Sequence, residues 1–113
     1  MGQDVIKQQA SRAPYEEFEA LDVPLGGLLR GERATRGNSL LDVELVLKIK
    51  ASYVAAIENS DLSVFITLGF VAGYVRSYAR YLGLDPEWTF QRFCRESDFS
   101  GVHSLSSMQA KQA

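Results

Sequence analysis

Residues 39–61 read SLLDVELVLKIKASYVAAIENSD and predict two short helices joined by a tight connection, and this pair decides the fold. The first helix, 39–47, begins at Ser39, because a serine N-cap followed three residues later by Asp42 forms a capping box. The second helix, 51–59, repeats apolar residues at helical spacing and ends where polar residues interrupt the pattern. Helices this short are not stable alone, so further helices must cover their apolar sides.

The chain on both sides of this pair supplies three more helices. Pro24 stands in the first turn of a helix that Gly37 ends, and Asp85-Pro86 is an N-cap followed by proline at the first helical position. Residues 69–86, GFVAGYVRSYARYLGLDP, hold a longer helix between them. The predicted helices span 24–36, 39–47, 51–59, 69–82 and 86–96, with a loop or short turn at 62–68. Because the chain shows no sustained period-2 alternation, we predict an all-α, five-helix domain.

The folded domain is expected to cover residues 24–97, with a flexible arm before it and a flexible tail after it. At 113 residues the chain is long enough for one domain with a modest core. Residues 1–23 are polar and carry two basic and five acidic residues, with room for one short helical turn at 15–21. Residues 98–113 are small and polar and are interpreted as a tail or linker.

Composition excludes several function classes. The net charge is −2, whereas a domain that grips nucleic acid through its phosphates is usually strongly basic. One cysteine and one histidine do not make a metal site, and the sequence has no catalytic triad, paired carboxylates or glycine-rich phosphate loop. We therefore expect a non-enzymatic protein without cofactor or metal. No run approaches the roughly 18 apolar residues that span a bilayer.

The helix at 69–82 carries more aromatic surface than one buried face can use. At about 100° per residue, one arc holds the residues expected to face the core: Val71, Val75, Tyr78, Ala79 and Leu82. A neighbouring arc holds Phe70, Tyr74 and Tyr81 beside Ser77, and a third holds Arg76, Arg80 and Gly73. A small domain has little reason to present a second aromatic stripe unless something covers it.

Two interpretations of this stripe stay open. The helix at 86–96 can pack over it with its own aromatic residues, because the Asp-Pro turn folds that helix back. Alternatively, a partner protein binds it. Tyr78 and Tyr81 lie nearest the turn and are expected to be buried, whereas Phe70 and Tyr74 are expected to remain accessible.

The helix pair is preceded by LLRGERATRG at 28–37 and followed by GYVRSYARYLGLDP at 73–86. The pair has the arrangement of repressor-like helix-turn-helix domains. The whole combination closely resembles the cytoplasmic helix-turn-helix domain of the RodZ family of bacterial cell-shape proteins, over roughly residues 24–97. The resemblance implies a five-helix domain of the lambda repressor/Cro type, at the N-terminus of a single-pass inner-membrane protein.

The resemblance also implies a partner. Domains of this family bind the actin-like filament protein MreB and link it to the membrane in cell-shape control, through a surface centred on the fourth helix. The aromatic contacts of that surface fall on Phe70 and Tyr74, with Ser77, Arg76 and Arg80 beside them. Two features depart from the family: the loop FITLG lacks the usual proline, and the chain has no membrane segment. The domain is expected in the cytoplasm, attached to the membrane only through a segment outside this chain.

A DNA-binding transcriptional regulator is the alternative function for the same fold, with the third helix as recognition helix. Candidate DNA contacts are Arg33, Ser39, Lys48, Lys50, Ser52 and Tyr53. Direct base readout needs Arg, Lys, Asn or Gln at the exposed start of that helix, and alanines occupy much of its outer side. Leu40 stands where repressor-like domains often place a glutamine. We therefore expect the fold to serve as a scaffold, with weak DNA binding through phosphates as the remaining alternative.

Overall fold

The computed structural model describes residues 23–99 and contains five α-helices in that range. They are α1 (Leu25–Thr35), α2 (Leu40–Leu47), α3 (Ala51–Glu58), α4 (Val71–Tyr81) and α5 (Pro86–Ser97). Two 3-10 turns, Leu62–Val64 and Leu68–Phe70, lie in the connection between α3 and α4. No strand occurs between residues 23 and 99, and the predicted all-α fold is confirmed. The expectations for the arm at 1–22 and for the tail from residue 100 onward fall outside the described residues.

Local signals set the helix ends. The Ser39 hydroxyl accepts a hydrogen bond from the Asp42 amide at 3.0 Å, and the Asp42 carboxylate accepts one from the Ser39 amide at 2.8 Å, so the capping box is complete. The bond from the Ser39 amide, above all, holds the pKa of Asp42 below its usual value. The Asp85 carboxylate accepts from two amides in the first turn of α5. Gly37 and Gly83 follow α1 and α4 with φ of 69° and 76°, where glycine is favoured.

Three other turns place a residue with a side chain in the left-handed region. These residues are Lys48, Ser60 and Asp98, with φ of 61°, 52° and 60°. Lys48 ends α2 and Asp98 ends α5, and each donates its amide back to a carbonyl of the preceding turn. The sharp turns between successive helices are therefore made partly without glycine.

The start of α4 differs from the prediction. The sequence predicted a helix from residue 69, but a 3-10 turn occupies Leu68–Phe70 and the α-helix begins at Val71. Phe70 is consequently the N-cap residue of α4, at the junction of the two kinds of turn.

The core is built from the inner faces of all five helices. Its fully buried side chains include Leu25, Leu29, Val43, Val54, Ile57, Val75, Tyr78 and Phe93. The arc of α4 predicted to face the core is confirmed, since each of its five residues is buried. Phe99, assigned to the tail by the sequence, is also buried, and its ring meets those of Phe90 and Phe93 edge-on at 6.3 and 6.4 Å. The packed core thus extends to residue 99.

Glu58, the last residue of α3, is a buried carboxylate that joins three helices. Its oxygens accept from the Arg33 guanidinium of α1 at 2.7 and 3.0 Å, and from the Tyr78 hydroxyl of α4. The Glu58 side chain is 4% exposed. Burial and the bond to Glu58 raise the pKa of Tyr78, and the bond to the same carboxylate raises the pKa of Arg33. Arg33 therefore stays charged and Tyr78 neutral at physiological pH.

Gly26 marks the closest approach between α1 and the end of α3. A Cβ added at Gly26 would lie 2.0 Å from the backbone oxygen of Glu58, a separation that real atoms do not adopt. The same oxygen accepts a hydrogen bond from the Arg30 guanidinium at 3.3 Å. Gly31 of the same helix differs, because a Cβ there would meet no atom within 4 Å.

We expect Gly26→Ala to lower the free energy of unfolding by about 2 kcal/mol, because the added methyl group forces α1 away from α3. Gly31→Ala is the matched control. It should raise the free energy of unfolding by about 0.5–1 kcal/mol, since alanine is the better helix former and nothing obstructs it. Urea denaturation followed by circular dichroism measures both, and equal effects of the two substitutions would contradict the close approach at Gly26.

Glu58→Ala should lower the free energy of unfolding by about 3 kcal/mol, because it leaves the Arg33 charge and the Tyr78 hydroxyl without their shared acceptor. Glu32→Ala is the control: Glu32 pairs with Arg36 at 3.0 Å, but both side chains are about one-third exposed. Removing that exposed pair should cost less than about 1 kcal/mol. If both variants unfold at the same urea concentration, the Glu58 carboxylate does not hold the three helices together.

Candidate partner-binding site

Four aromatic side chains from α3, the following connection and the start of α4 form one cluster. They are Tyr53, Phe65, Phe70 and Tyr74, hereafter the aromatic cluster. The ring centroid of Tyr53 lies 5.0 Å from that of Phe65 and 5.6 Å from that of Tyr74. Phe65 and Tyr74 are 6.3 Å apart, and Phe70 and Tyr74 are 6.2 Å apart. These separations are typical of favourable aromatic contacts.

Exposure increases across the aromatic cluster toward Phe70. Phe65 is buried, Tyr53 and Tyr74 are half-buried, and Phe70 is 61% exposed. Phe70 and Tyr74 are thus accessible, as the sequence predicted. Tyr74 also has a structural role, because its ring packs on Tyr53 and fastens α4 to α3.

The connection before α4 adds further exposed apolar side chains next to Phe70 along the chain. Val64, Ile66 and Leu68 are 38%, 85% and 37% exposed. The backbone is extended at Phe65 and Thr67, between the two 3-10 turns. We call Val64, Ile66, Leu68 and Phe70 the apolar edge. Sequence reasoning treated this stretch as a loop or short turn, although its high content of apolar residues was a signal that could have identified it.

The polar residues predicted to flank Phe70 lie in different environments. Arg76 is held against α5: its Nε lies 2.9 Å from Glu87 Oε2, and its guanidinium carbon lies 4.4 Å from the ring centroid of Phe90. Ser77 is half-buried and Arg80 is exposed, both on α4. The structure therefore leaves Ser77 and Arg80 near the accessible side of α4 and places Arg76 between the last two helices.

The interpretation that α5 packs over the aromatic stripe is wrong for Tyr74 and Tyr81. Tyr74 packs on α3, and the Tyr81 hydroxyl donates to Asn38 Oδ1 at 2.8 Å in the connection between α1 and α2. Tyr81 is half-buried and Tyr78 is buried, in keeping with their place near the turn. Part of the stripe is covered by the chain itself, and Phe70 is the aromatic residue that stays open.

Half of the candidate DNA contacts are committed to other contacts. Arg33 pairs with Glu58, and the Ser39 hydroxyl caps α2. Tyr53 belongs to the aromatic cluster. Lys48, Lys50 and Ser52 are exposed at the end of α2 and the start of α3, with Lys50 Nζ 5.7 Å from the Tyr53 ring centroid. Three of the six candidates therefore remain available to a ligand.

The outer side of α2 is apolar. Leu41, Leu45 and Val46 are 64%, 69% and 63% exposed. In DNA-binding helix-turn-helix domains the first helix of the pair crosses the phosphate backbone, where polar and basic side chains make the contacts. The outer side of α2 cannot make such contacts. Nothing in the sequence pattern of α2 distinguished these residues from core residues, because almost the whole helix is apolar.

A family model described as a helix-turn-helix domain matches residues 28–88, more than half of the chain. The match runs from α1 to the first turn of α5 and contains the helix pair α2–α3. This family includes the N-terminal domains of RodZ proteins and is typically non-enzymatic. Comparison with curated proteins and with solved structures returned no match. Of the helices between residues 23 and 99, none is long and apolar enough to cross a membrane. On the family match and the fold together, the chain belongs to the helix-turn-helix domain family.

Proposed function

We propose that this domain is a non-enzymatic interaction module of a RodZ-like protein and that it binds an MreB-like actin homologue. The observation that carries the proposal is the side chain of Phe70, which is 61% exposed at the start of α4 while its neighbour Tyr74 is anchored in the aromatic cluster. An exposed aromatic residue on a rigid element is the kind of residue that dominates protein interfaces.

The support under Phe70 matters as much as its exposure. Tyr74 is packed against Tyr53 and Phe65, so the surface on which a partner would lie is already ordered. A preorganised surface loses little side-chain entropy on binding, and more of the contact energy appears as affinity.

The surface we propose has an apolar centre and a polar border. Its centre is Phe70 and the accessible side of Tyr74, and the remainder of the apolar edge extends it along the preceding connection. Ser77 and Arg80, on the next turns of α4, provide the border. Interfaces of this composition, apolar inside and polar around, are typical of transient protein complexes.

The resemblance to RodZ domains is also the basis for the proposed cellular role. In that role the domain lies in the cytoplasm and connects an MreB-like filament to a membrane-spanning part of the same protein, which controls cell shape. The sequence of the full gene tests this directly: it should encode an apolar segment of about 20 residues downstream of Ala113.

One observation favours the alternative, a DNA-binding regulator. Lys48, Lys50 and Ser52 are exposed where a recognition helix begins. Two observations stand against it. The outer side of α2 is apolar, and the guanidinium groups of the two arginines of α1 and of Arg36 after it bond to Glu58, Glu32 and the Leu82 carbonyl. We therefore expect this surface to contact DNA only through phosphate groups, bound by the two lysines.

Phe70→Ala should weaken binding to purified MreB filaments about tenfold or more, because aromatic residues at interface centres commonly contribute 2 kcal/mol or more. The domain should lose less than about 1 kcal/mol of stability, since the side chain is mostly exposed. Co-sedimentation with filaments measures the first quantity and urea denaturation the second.

Leu45→Ala is the matched control for Phe70→Ala. Leu45 is an exposed apolar residue of similar accessibility, 69%, but lies on α2. It should leave MreB binding unchanged. Val75→Ala, a fully buried position of α4, should instead destabilise the fold through lost packing. If Leu45→Ala weakens binding and Phe70→Ala does not, the partner surface lies on α2 and the proposed site is wrong.

For DNA, we expect affinity that is independent of sequence and that disappears as salt is raised, because contacts from Lys48 and Lys50 would be purely electrostatic. Fluorescence anisotropy with random-sequence duplexes at two salt concentrations measures this. A defined duplex that binds at moderate salt and is lost on Lys50→Ala or Ser52→Ala would establish the DNA-binding alternative.

A further inference from the structure

One side of α5 borders an open groove and is lined by residues at the spacing of a helix-packing stripe. Trp88, Gln91, Arg92 and Arg95 follow each other at i, i+3, i+4 and i+7 and border an open groove of about 320 Å³. Residues at this spacing lie one above another on a helix. The groove combines an indole surface with two guanidinium groups, so it suits a segment that is both aromatic and acidic.

The chain enters the domain at this groove. The Val23 carbonyl accepts a hydrogen bond from Arg92 Nη2 at 2.8 Å, and the Leu25 amide donates to the Glu96 carboxylate at 2.9 and 3.0 Å. Arg92 and Glu96 are themselves paired one turn apart on α5. Val23, the first described residue, is therefore held beside Arg92 at one side of the groove.

The sequence that precedes Val23 has the composition that the groove requires. Residues 15–22 read YEEFEALD. Tyr15, Phe18 and Leu21 are spaced three residues apart, and the segment contains four acidic residues. As a helix, eight residues extend about 12 Å, and the stripe from Trp88 to Arg95 extends about 10 Å. The length of the segment therefore matches that of the groove, and its charge is opposite to that of the arginines that line it.

We propose that residues 15–22 bind the α5 groove, with Phe18 against the Trp88 indole and the acidic side chains toward the Arg95 side of the groove. Because the segment is tethered at Val23, its effective concentration at the groove is in the millimolar range, and weak contacts suffice to keep it bound. The proposal makes these residues part of the folded domain rather than of a flexible arm, and it does not depend on the partner bound at α4.

The charges of the two chain ends indicate which of them fits the groove. Residues 100–113 follow Phe99 close to the end of α5, but they contain one lysine and no aspartate or glutamate. They therefore bring no acidic side chain to a groove bordered by arginine. Residues 15–22 contain Glu16, Glu17, Glu19 and Asp22.

Trp88 is the single tryptophan of the chain, so its fluorescence reports directly on the groove. In the full-length chain, Phe18→Ala should raise the acrylamide quenching constant of Trp88 about twofold, because the indole face loses its apolar cover. Arg95→Glu should raise it as well. Adding Glu16→Arg, Glu17→Arg and Glu19→Arg to Arg95→Glu should restore the original value, because the charges are again opposite.

Two controls make the result specific. Ile6→Ala removes an apolar side chain from the part of the arm before residue 15, and Leu105→Ala removes one from the tail. Neither should change the quenching of Trp88, and circular dichroism should show all variants folded. If Leu105→Ala exposes Trp88 and Phe18→Ala does not, the tail occupies the groove. If none of the variants alters the quenching, residues 15–22 do not bind there. Either result overturns the proposal.

Discussion

The arrangement of the domain depends on the buried carboxylate of Glu58. A charge in this position is tolerated only when its oxygens are bonded, and the bonds come from Arg33 on α1 and Tyr78 on α4. The backbone oxygen of the same residue receives Arg30 and touches α1 at Gly26. Other ways of packing these three helices would leave the carboxylate without partners, so the interaction selects one relative orientation among several that hydrophobic burial alone would allow.

That orientation determines what α4 presents to solvent. With Tyr78 turned inward to Glu58, Tyr74 lies one turn earlier against Tyr53 of α3. Phe70 then comes at the start of α4, where its side chain is 61% exposed. The arginines of α1 serve the same internal network, and the Arg36 guanidinium donates to the Leu82 carbonyl at the end of α4 at 2.6 Å. The arginines around α1 therefore contribute to the internal contacts of the domain. The helix-turn-helix pair supports α4 through the contact of Tyr53 with Tyr74.

Much of the fold could be predicted from the sequence because its signals are local. The serine cap of α2, the Asp-Pro start of α5 and the glycines after α1 and α4 act over three or four residues, and the core arc of α4 follows from helical periodicity. Glu58 could not be predicted, because a glutamate at a helix end normally contacts solvent and its partners lie 25 residues before it and 20 after it. The contact of Arg76 with α5 could also not be predicted, since it depends on where α5 packs.

For the candidate site, the accessibility of Phe70 and Tyr74 could be predicted from the helical arcs. The apolar edge could not, because it depends on the backbone between and within the two 3-10 turns.

The left-handed backbone at Lys48, Ser60 and Asp98 has a consequence for the energy of the domain. A residue with a side chain in that region is less stable than glycine by about 1–2 kcal/mol, before the unfolded chain is considered. The turns after α2, α3 and α5 therefore store conformational strain that core packing must offset. A domain with a modest core has only a small free energy of unfolding, so this strain is a sizeable part of it. Glycine at these positions is a route to a more robust protein that leaves the aromatic cluster and the α5 groove untouched. Lysine, serine and aspartate at these positions fit a protein whose stability is adequate rather than maximal.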